Sequence, residues 1–376
     1  MSTTSIPASR AEERRPVPAI VVPSAAKRSI KRQVSARNGN RFYRSLLTSH
    51  LSLFASNSVI SRWLACGVLL LLPGSAQAQS DLAALAARLA ALSAVSGYEQ
   101  AMVDTVLRLL PGGTRDRAGN ARLHLGGGSV KRLVVCPLDE PGYVVGNIRQ
   151  DGYLTLRRVS GRVSPLFDQQ IEGQRVTIQG RGLVPGVVAV RSIHLTRGRS
   201  GPSELPFTVD DAYVDVGAAS RSQATALGVR VLSPVTLAKH PHAYGHGLLA
   251  APAVGRRTAC AALVSAVGQS IVRAKAIPPV TVAFAVEQEL SQRGLGTLAN
   301  ELGPFDETIL VDGRTGKRGG LEQGPDSSTA ARWPRLGPVT RWSLPVRYAG
   351  TPVETVALAD ADSLRSALVR WIGGDR

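Results

Sequence analysis

Lys131–Ile148 reads KRLVVCPLDEPGYVVGNI, and the organisation of the chain turns on this stretch. Its first half is a continuous apolar run, the pattern of a strand covered on both faces in a mainly parallel sheet. The run ends on Asp139 and Glu140, Pro141-Gly142 turns the chain, and from Tyr143 the pattern becomes one of short alternating strands. One kind of structure therefore gives way to another within a few residues.

Reading outward, DLAALAARLAALSAV from Asp81 has helical spacing with Asp81 as an N-cap, and QAMVDTVLRLL reads as a second amphipathic helix. ARLHLG is a short strand before the quoted stretch. After it, YVVGNI, YLTLRRV, QRVTIQG, GVVAV and PVTLAK read as the strands of an all-β module. The helical period resumes in RRTACAALVSAVGQSIVRA. PVTVAFAVEQEL and ETILVDG are buried strands, GLGTLANELG lies between them as a helix, and DSLRSALVRWI closes the chain as another. The pattern predicts an α/β domain formed by residues 81–142 and 245–376, with an all-β domain inserted at 143–244.

The formal charge is +18, but residues 1–78 hold 11 basic and 2 acidic residues and so carry half of it. The remaining arginines are scattered, without the aromatic-rich basic stripe of a nucleic-acid surface, so nucleic acid is not an expected partner. A basic surface favours acidic partners, cell-wall polymers or anionic membrane. Residues 1–78 read as an export signal with a long basic leader. Arg62 precedes the apolar run Trp63–Leu72, Pro73-Gly74 is expected to break any helix, and Ala76-Gln77-Ala78 places cleavage between Ala78 and Gln79. The run is too short to span about 30 Å of hydrocarbon. The expectation is an exported protein, periplasmic or secreted, with no transmembrane anchor after cleavage. Cys66 sits inside the run, so lipidation is not expected. Cys136 and Cys260 allow one bridge at most, and their apolar contexts read as those of buried free thiols.

Several chemistries are excluded. There is no G-x-S-x-G elbow, Gly126-Gly127-Gly128 lacks the Lys-Ser/Thr of a phosphate loop, and GRGLVPG misses the dinucleotide spacing. What remains is acids at strand ends: Asp139 and Glu140, Glu287 and Glu289, and Asp312. Carboxylates there lie where α/β sheets bind ligands, although strand ends also simply meet solvent. His240, His242 and His246 form a cluster in sequence that reads as exposed loop histidines, with a weak metal site as the alternative.

LSAVSGYEQAMVDTVLRLL, DRAGNARLHL, LDEPGYVVGNIRQDGYL, EQELSQRGLGT and LPVRYAGTPVETV occur in the order of corresponding segments in one family. The chain resembles the glutamyl aminopeptidase and endoglucanase-M-like co-catalytic metallopeptidases that assemble as tetrahedral particles. The resemblance implies a zinc-aminopeptidase-like α/β/α catalytic domain with an inserted β domain, and a homo-oligomer formed through that insert. It also implies two zinc or cobalt ions bridged by an aspartate and a water, with a glutamate as general base. At the matching positions Glu289 and Asp312 keep two metal ligands, and Asp139 keeps a supporting aspartate. Pro137 stands for a histidine, Gly255 for the bridging aspartate, Gln288 for the general base and Gly350 for the last histidine. His194 matches a histidine of the insert, and Cys136 is not expected to serve as a surrogate ligand.

These losses have physical consequences. Two close dications repel unless an anion bridges them, and glycine offers none. Without both imidazoles too few ligands remain for a closed zinc site. Glutamine cannot take a proton from water, which removes general-base catalysis worth roughly 10²–10⁴-fold. Arg256 and Arg257 add positive charge to the same neighbourhood. The expectation is a catalytically eroded, exported homologue that acts in binding or assembly, with a peptide or cell-envelope ligand and no metal cofactor. The alternative is an active exported aminopeptidase or hydrolase using zinc or cobalt in a rearranged site around Asp139, Glu289 and Asp312.

Overall fold

The computed structural model describes residues 73–374 except 129–131, 160–162, 165, 191–206, 274–276 and 315–319. The Ala/Leu-rich segment forms helix α1 (Pro73–Ala90). Pro73 and Gly74, expected to break any helix, lie within this one instead. Ala78 and Gln79 lie inside α1, while the apolar run Trp63–Leu72 and His194 fall outside the described residues. No described helix is long and apolar enough to cross a membrane.

Helix α2 (Gln100–Leu109) follows, then strands β1 (Thr114–Arg115), β2 (Ala121–Leu125) and β3 (Arg132–Pro137). The chain then leaves for the insert: β4 (Tyr143–Ile148), β5 (Leu154–Arg158), β6 (Arg175–Gln179), β7 (Leu183–Ala189), β8 (Tyr213–Asp215), helix α3 (Arg221–Ala226) and β9 (Pro234–Leu237). These strands close into a barrel in the order β4-β5-β8-β7-β6-β9, filled by Val145, Leu156, Ile178, Val188, Val214 and Val235. Strand β7 alternates as a barrel strand should, but its outward residues Leu183, Pro185 and Val187 are apolar and exposed.

The chain returns through β10 (His242–Tyr244) and β11 (Leu248–Ala250) to the long helix α4 (Val254–Arg273). Then come β12 (Val280–Ala285), α5 (Arg293–Leu302), β13 (Glu307–Arg314), β14 (Glu322–Pro325), α6 (Ser327–Arg332), β15 (Val339–Pro345), β16 (Thr355–Ala357) and α7 (Leu358–Gly373). A seven-stranded sheet runs β1-β2-β12-β3-β13-β15-β14. Its centre, β12-β3-β13-β15, is parallel, and the flanking strands are antiparallel. A small antiparallel sheet, β10-β11-β16, packs beside it.

The apolar runs are explained by the two-sided cover. In β3, Val134 and Cys136 face the core shared with α1, α4 and α7, while Leu133 and Val135 face the core shared with α5. In β12, Val282 and Phe284 point one way and Ala283 and Ala285 the other. Alternation also decides the fate of the cysteines, correcting the reading of two free thiols. Cys136 is directed at α4, and it forms a disulfide with Cys260 on that helix, with the Cα atoms 5.6 Å apart. The partners are separated by 124 residues, a distance no local pattern spans.

Closing a loop of that length removes much of the freedom of the unfolded chain. Replacing Cys136 and Cys260 together by serine is expected to lower stability by about 2–5 kcal/mol. Urea midpoints of the double variant and of the oxidised and reduced parent check this.

Candidate functional site

The parallel strands deliver their carboxylates to one end of the sheet. Asp139 and Glu140 follow β3, Glu287 and Glu289 lie in the loop after β12, and Asp312 is within β13. The first turn of α4 enters this end with Gly255, Arg256 and Arg257. The Arg256 guanidinium occupies the middle of the acids. Its Nε donates to Asp312 Oδ1 at 3.1 Å, and its Nη2 donates to Glu289 Oε1 at 2.8 Å. Its Nη1 donates to the Asp139 carbonyl at 2.7 Å and lies 3.5 Å from Asp139 Oδ1. Arg341 reaches Asp312 Oδ2 from the other side at 3.2 Å and also pairs with Asp326.

Burial and charge compete at each of these groups. Burial opposes the charged guanidinium of Arg256, yet the fields of Asp312, Glu289 and Asp139 outweigh it and hold the proton more tightly than usual. Burial likewise opposes ionisation of Asp312, and the charges of Arg256 and Arg341 prevail to hold it below the ordinary aspartate value. Asp139 is the exception. Burial raises it, and Arg256, the Glu289 N–H at 2.8 Å and the Ser96 hydroxyl offset this only in part.

Pro137 ends β3, and half-buried Gln288 lies in the loop after β12. Gly350 sits in the loop between β15 and β16, where its N–H donates to Glu354 at 3.1 Å. At Gly255 an added Cβ would meet Val346 Cγ2 at 2.5 Å and Glu354 Oε1 at 3.0 Å, so the fold has no room for a side chain there. Gly255 N–H instead donates to Glu354 at 2.8 Å. Among the described residues no group of three or more His, Cys, Asp or Glu is arranged to hold a metal ion. The residues present do not fit a two-metal centre, because a guanidinium occupies the space between the carboxylates that would face the ions.

Glu140 belongs to a second, separate ion cluster. Burial opposes its charge, but Lys239 and Arg257 hold it below the ordinary glutamate value. Lys239 pairs with Glu140 Oε2 and donates to the Pro252 carbonyl at 3.2 Å, while Arg257 Nη2 lies 3.2 Å from Glu140 Oε1. Both clusters border a cleft of roughly 170 Å³ between the sheet end and the barrel, which contributes Tyr143, Phe167 and Gln170.

Other residues divide between inside and outside. Glu287 pairs with Arg293 and does not join the Arg256 cluster. His240, His242 and His246 are all exposed. Only His242 lies in a strand, stacked on Tyr244 at 5.9 Å. The sequence reading missed Glu99, a buried carboxyl whose Oε1 accepts the N–H groups of Gly97 and Glu287, both at 2.9 Å. Burial pushes it up to about 7 against those hydrogen bonds, and the Asp139 charge adds to the rise. Ala253, which lines the cleft, and Glu287, Gln292 and Tyr348 take left-handed backbone conformations. Such residues persist only where surrounding packing enforces them.

Two expectations follow. Gly255→Asp should lower stability by about 2–4 kcal/mol, through overlap with Val346 and a second buried charge beside Glu354; urea titration checks it. Glu99 is protonated in the folded chain up to about 7 but ionises near 4.5 when unfolded, so its stabilisation is complete below 4.5 and lost as the pH rises to 7. Glu99→Gln should therefore flatten the fall in stability across that window and leave the variant about 1–3 kcal/mol more stable than the parent at about pH 8.

Comparison with known proteins agrees with this architecture. The profile of the M42 glutamyl aminopeptidase family matches residues 119–319. The Escherichia coli protein SgcX, which carries a provisional aminopeptidase name, is 28% identical over 228 residues, covering 58% of this chain and 59% of its own. Lysyl aminopeptidase of Pyrococcus furiosus is 30% identical over 144 residues, covering 36% and 40%. With 59% of SgcX matched and 61% of its E. coli relative FrvX, the chain spans about three fifths of the length of these relatives. Among solved structures, the TET1 peptidase of Pyrococcus horikoshii superposes with a TM-score of 0.69 at 20% identity, covering 77% of this chain and 99% of that one. An endoglucanase from Thermotoga maritima gives 0.60 at 20%, covering 77% and 96%. At such identities the likeness is one of fold, and it is the profile match over residues 119–319 that assigns the chain to the M42 glutamyl aminopeptidase family.

Proposed function

We propose that this chain is a non-catalytic, exported member of the M42 family that works by binding or assembly. The observation that carries this reading is the Arg256 guanidinium bonded to Asp139, Glu289 and Asp312. A fixed monocation there takes up the carboxylates that would bind divalent ions, and Gly255, Gly350, Pro137 and Gln288 supply neither a bridge, an imidazole nor a base. The cleft beside it, apolar and aromatic on the barrel side and charged at its floor, suits a peptide or a cell-envelope ligand.

Export is supported by the leader pattern of residues 1–78 and by the Cys136–Cys260 disulfide, since such bonds form and persist mainly in oxidising compartments. Assembly is supported by analogy. The P. horikoshii TET1 peptidase can form a tetrahedron or a large octahedral shell, and a second solved structure of it is a dodecamer. Leu183, 72% exposed, and Val187, 49% exposed, give the barrel an outward apolar strip that a homo-oligomer would cover.

One preparation tests the reading. The chain beginning at Gln79 is incubated with excess zinc or cobalt, desalted, and analysed for metal, for hydrolysis of aminoacyl reporters and for mass in solution. Near-zero metal, no hydrolysis and a mass of several chains are expected. About one or two tightly held ions with hydrolysis would instead establish an active hydrolase working around Asp139, Glu289 and Asp312. A monomer at micromolar concentration would remove the assembly proposal.

A further inference from the structure

We infer that Arg256 is the resident cation of this site, a covalently built replacement for a metal ion's charge, and that the acids around it form a latent divalent-cation site kept closed by its side chain. The inference rests on the reading of an eroded centre and assigns the agent that took the centre's place.

Three features carry it. The first is the origin of the acids. Asp139 follows β3, Glu289 lies beyond β12 and Asp312 is in β13, so the guanidinium ties three separate strand ends together. The second is how fully the fork is used. Nε, Nη1 and Nη2 each donate to a different partner, at 3.1, 2.7 and 2.8 Å. A planar, permanently charged fork can satisfy such divergent acceptors, whereas an ammonium presents a single compact charge. The third is the rigidity of its base. The preceding residue, Gly255, packs so closely on β13 that a Cβ on Gly313 would lie 2.3 Å from the Gly255 carbonyl carbon. One turn further on, Cys260 is bonded to Cys136 at the end of β3. The helix start is pinned to both neighbouring strands, so the arginine is directed into the acids by backbone that cannot drift.

If the guanidinium is the cation the acids require, its removal leaves several converging oxygens with Arg341, on the far side of Asp312, as remaining counter-charge. Carboxylate and carbonyl oxygens, with water completing the shell, suit manganese, magnesium or calcium, and manganese is also a convenient probe. The site would then hold an ion through Glu289, Asp312 and the Asp139 carboxylate or carbonyl.

The experiment compares the full chain with Arg256→Ala and Arg256→Lys, each with a chelator and with added Mn²⁺, reading the melting temperature and the ions retained after desalting. In chelator, Arg256→Ala is expected to melt about 5–15 °C below the parent. Manganese should restore a large part of that loss with about one ion retained per chain. Arg256→Lys, which keeps the charge, should lose less and respond little to manganese. If Arg256→Ala does not fold in chelator, its refolding yield with Mn²⁺ becomes the readout. Parent-like stability of Arg256→Ala in chelator overturns the inference. So does a loss that manganese does not repair, a refolding yield that manganese does not raise, or an Arg256→Lys variant that takes up manganese as Arg256→Ala does. Metal held by the unmodified chain would instead fail the underlying reading of an eroded centre, so the two failures are distinguishable.

Discussion

Carboxylates gathered at the end of a parallel sheet repel one another and resist leaving water, so burying them together in ionised form requires a cation among them. In this chain that cation is Arg256. Asp139 is fully buried, Asp312 nearly so, and the guanidinium between them is itself only 15% exposed. A buried pair of this kind adds little net stability over an apolar core, but losing one partner is costly, about 3–5 kcal/mol. The arrangement therefore acts as a constraint more than as a source of stability. Once the acids occupy the strand ends, the helix must begin where its third residue can reach them.

The neighbouring residue repeats the logic at a different joint. Arg257, with Lys239, neutralises Glu140 at the point where the chain enters and leaves the barrel. Glu140 lies just before β4 and Lys239 just after β9, so their pair closes the neck of the insert. Two consecutive arginines on one helix thus serve two acidic centres, one at the sheet end and one at the neck. The cleft lies between these two charged centres, and its walls come from both parts of the fold.

Much of this architecture was legible in the sequence. The apolar runs of β3, β12 and β13 reflect burial on two faces, and the alternating segments between Tyr143 and Leu237 became barrel strands, because both patterns follow from local side-chain periodicity. The strand-end acids Asp139, Glu289 and Asp312 were singled out for the same reason. Arg256 was noticed only as added positive charge, since nothing in GRR says which arginine meets the strand-end acids and which meets Glu140. That choice depends on helix phase relative to the sheet. The Cys136–Cys260 bond was missed because it joins positions whose proximity exists only after folding. Glu99 was missed because its environment comes from Gly97 and the distant Glu287 backbone.

The disulfide also changes the topology of the chain. Its two sulfurs lie on either side of the insert, so the barrel is part of a closed covalent ring running from Cys136 to Cys260. A protease cutting a barrel loop would open that ring without releasing a fragment, because the two pieces would still be joined at their sulfurs. The sheet core, fed by segments on both sides of the cut, would keep its halves at a fixed mutual distance. A chain built this way can be nicked within its insert and remain one molecule until it meets a reductant.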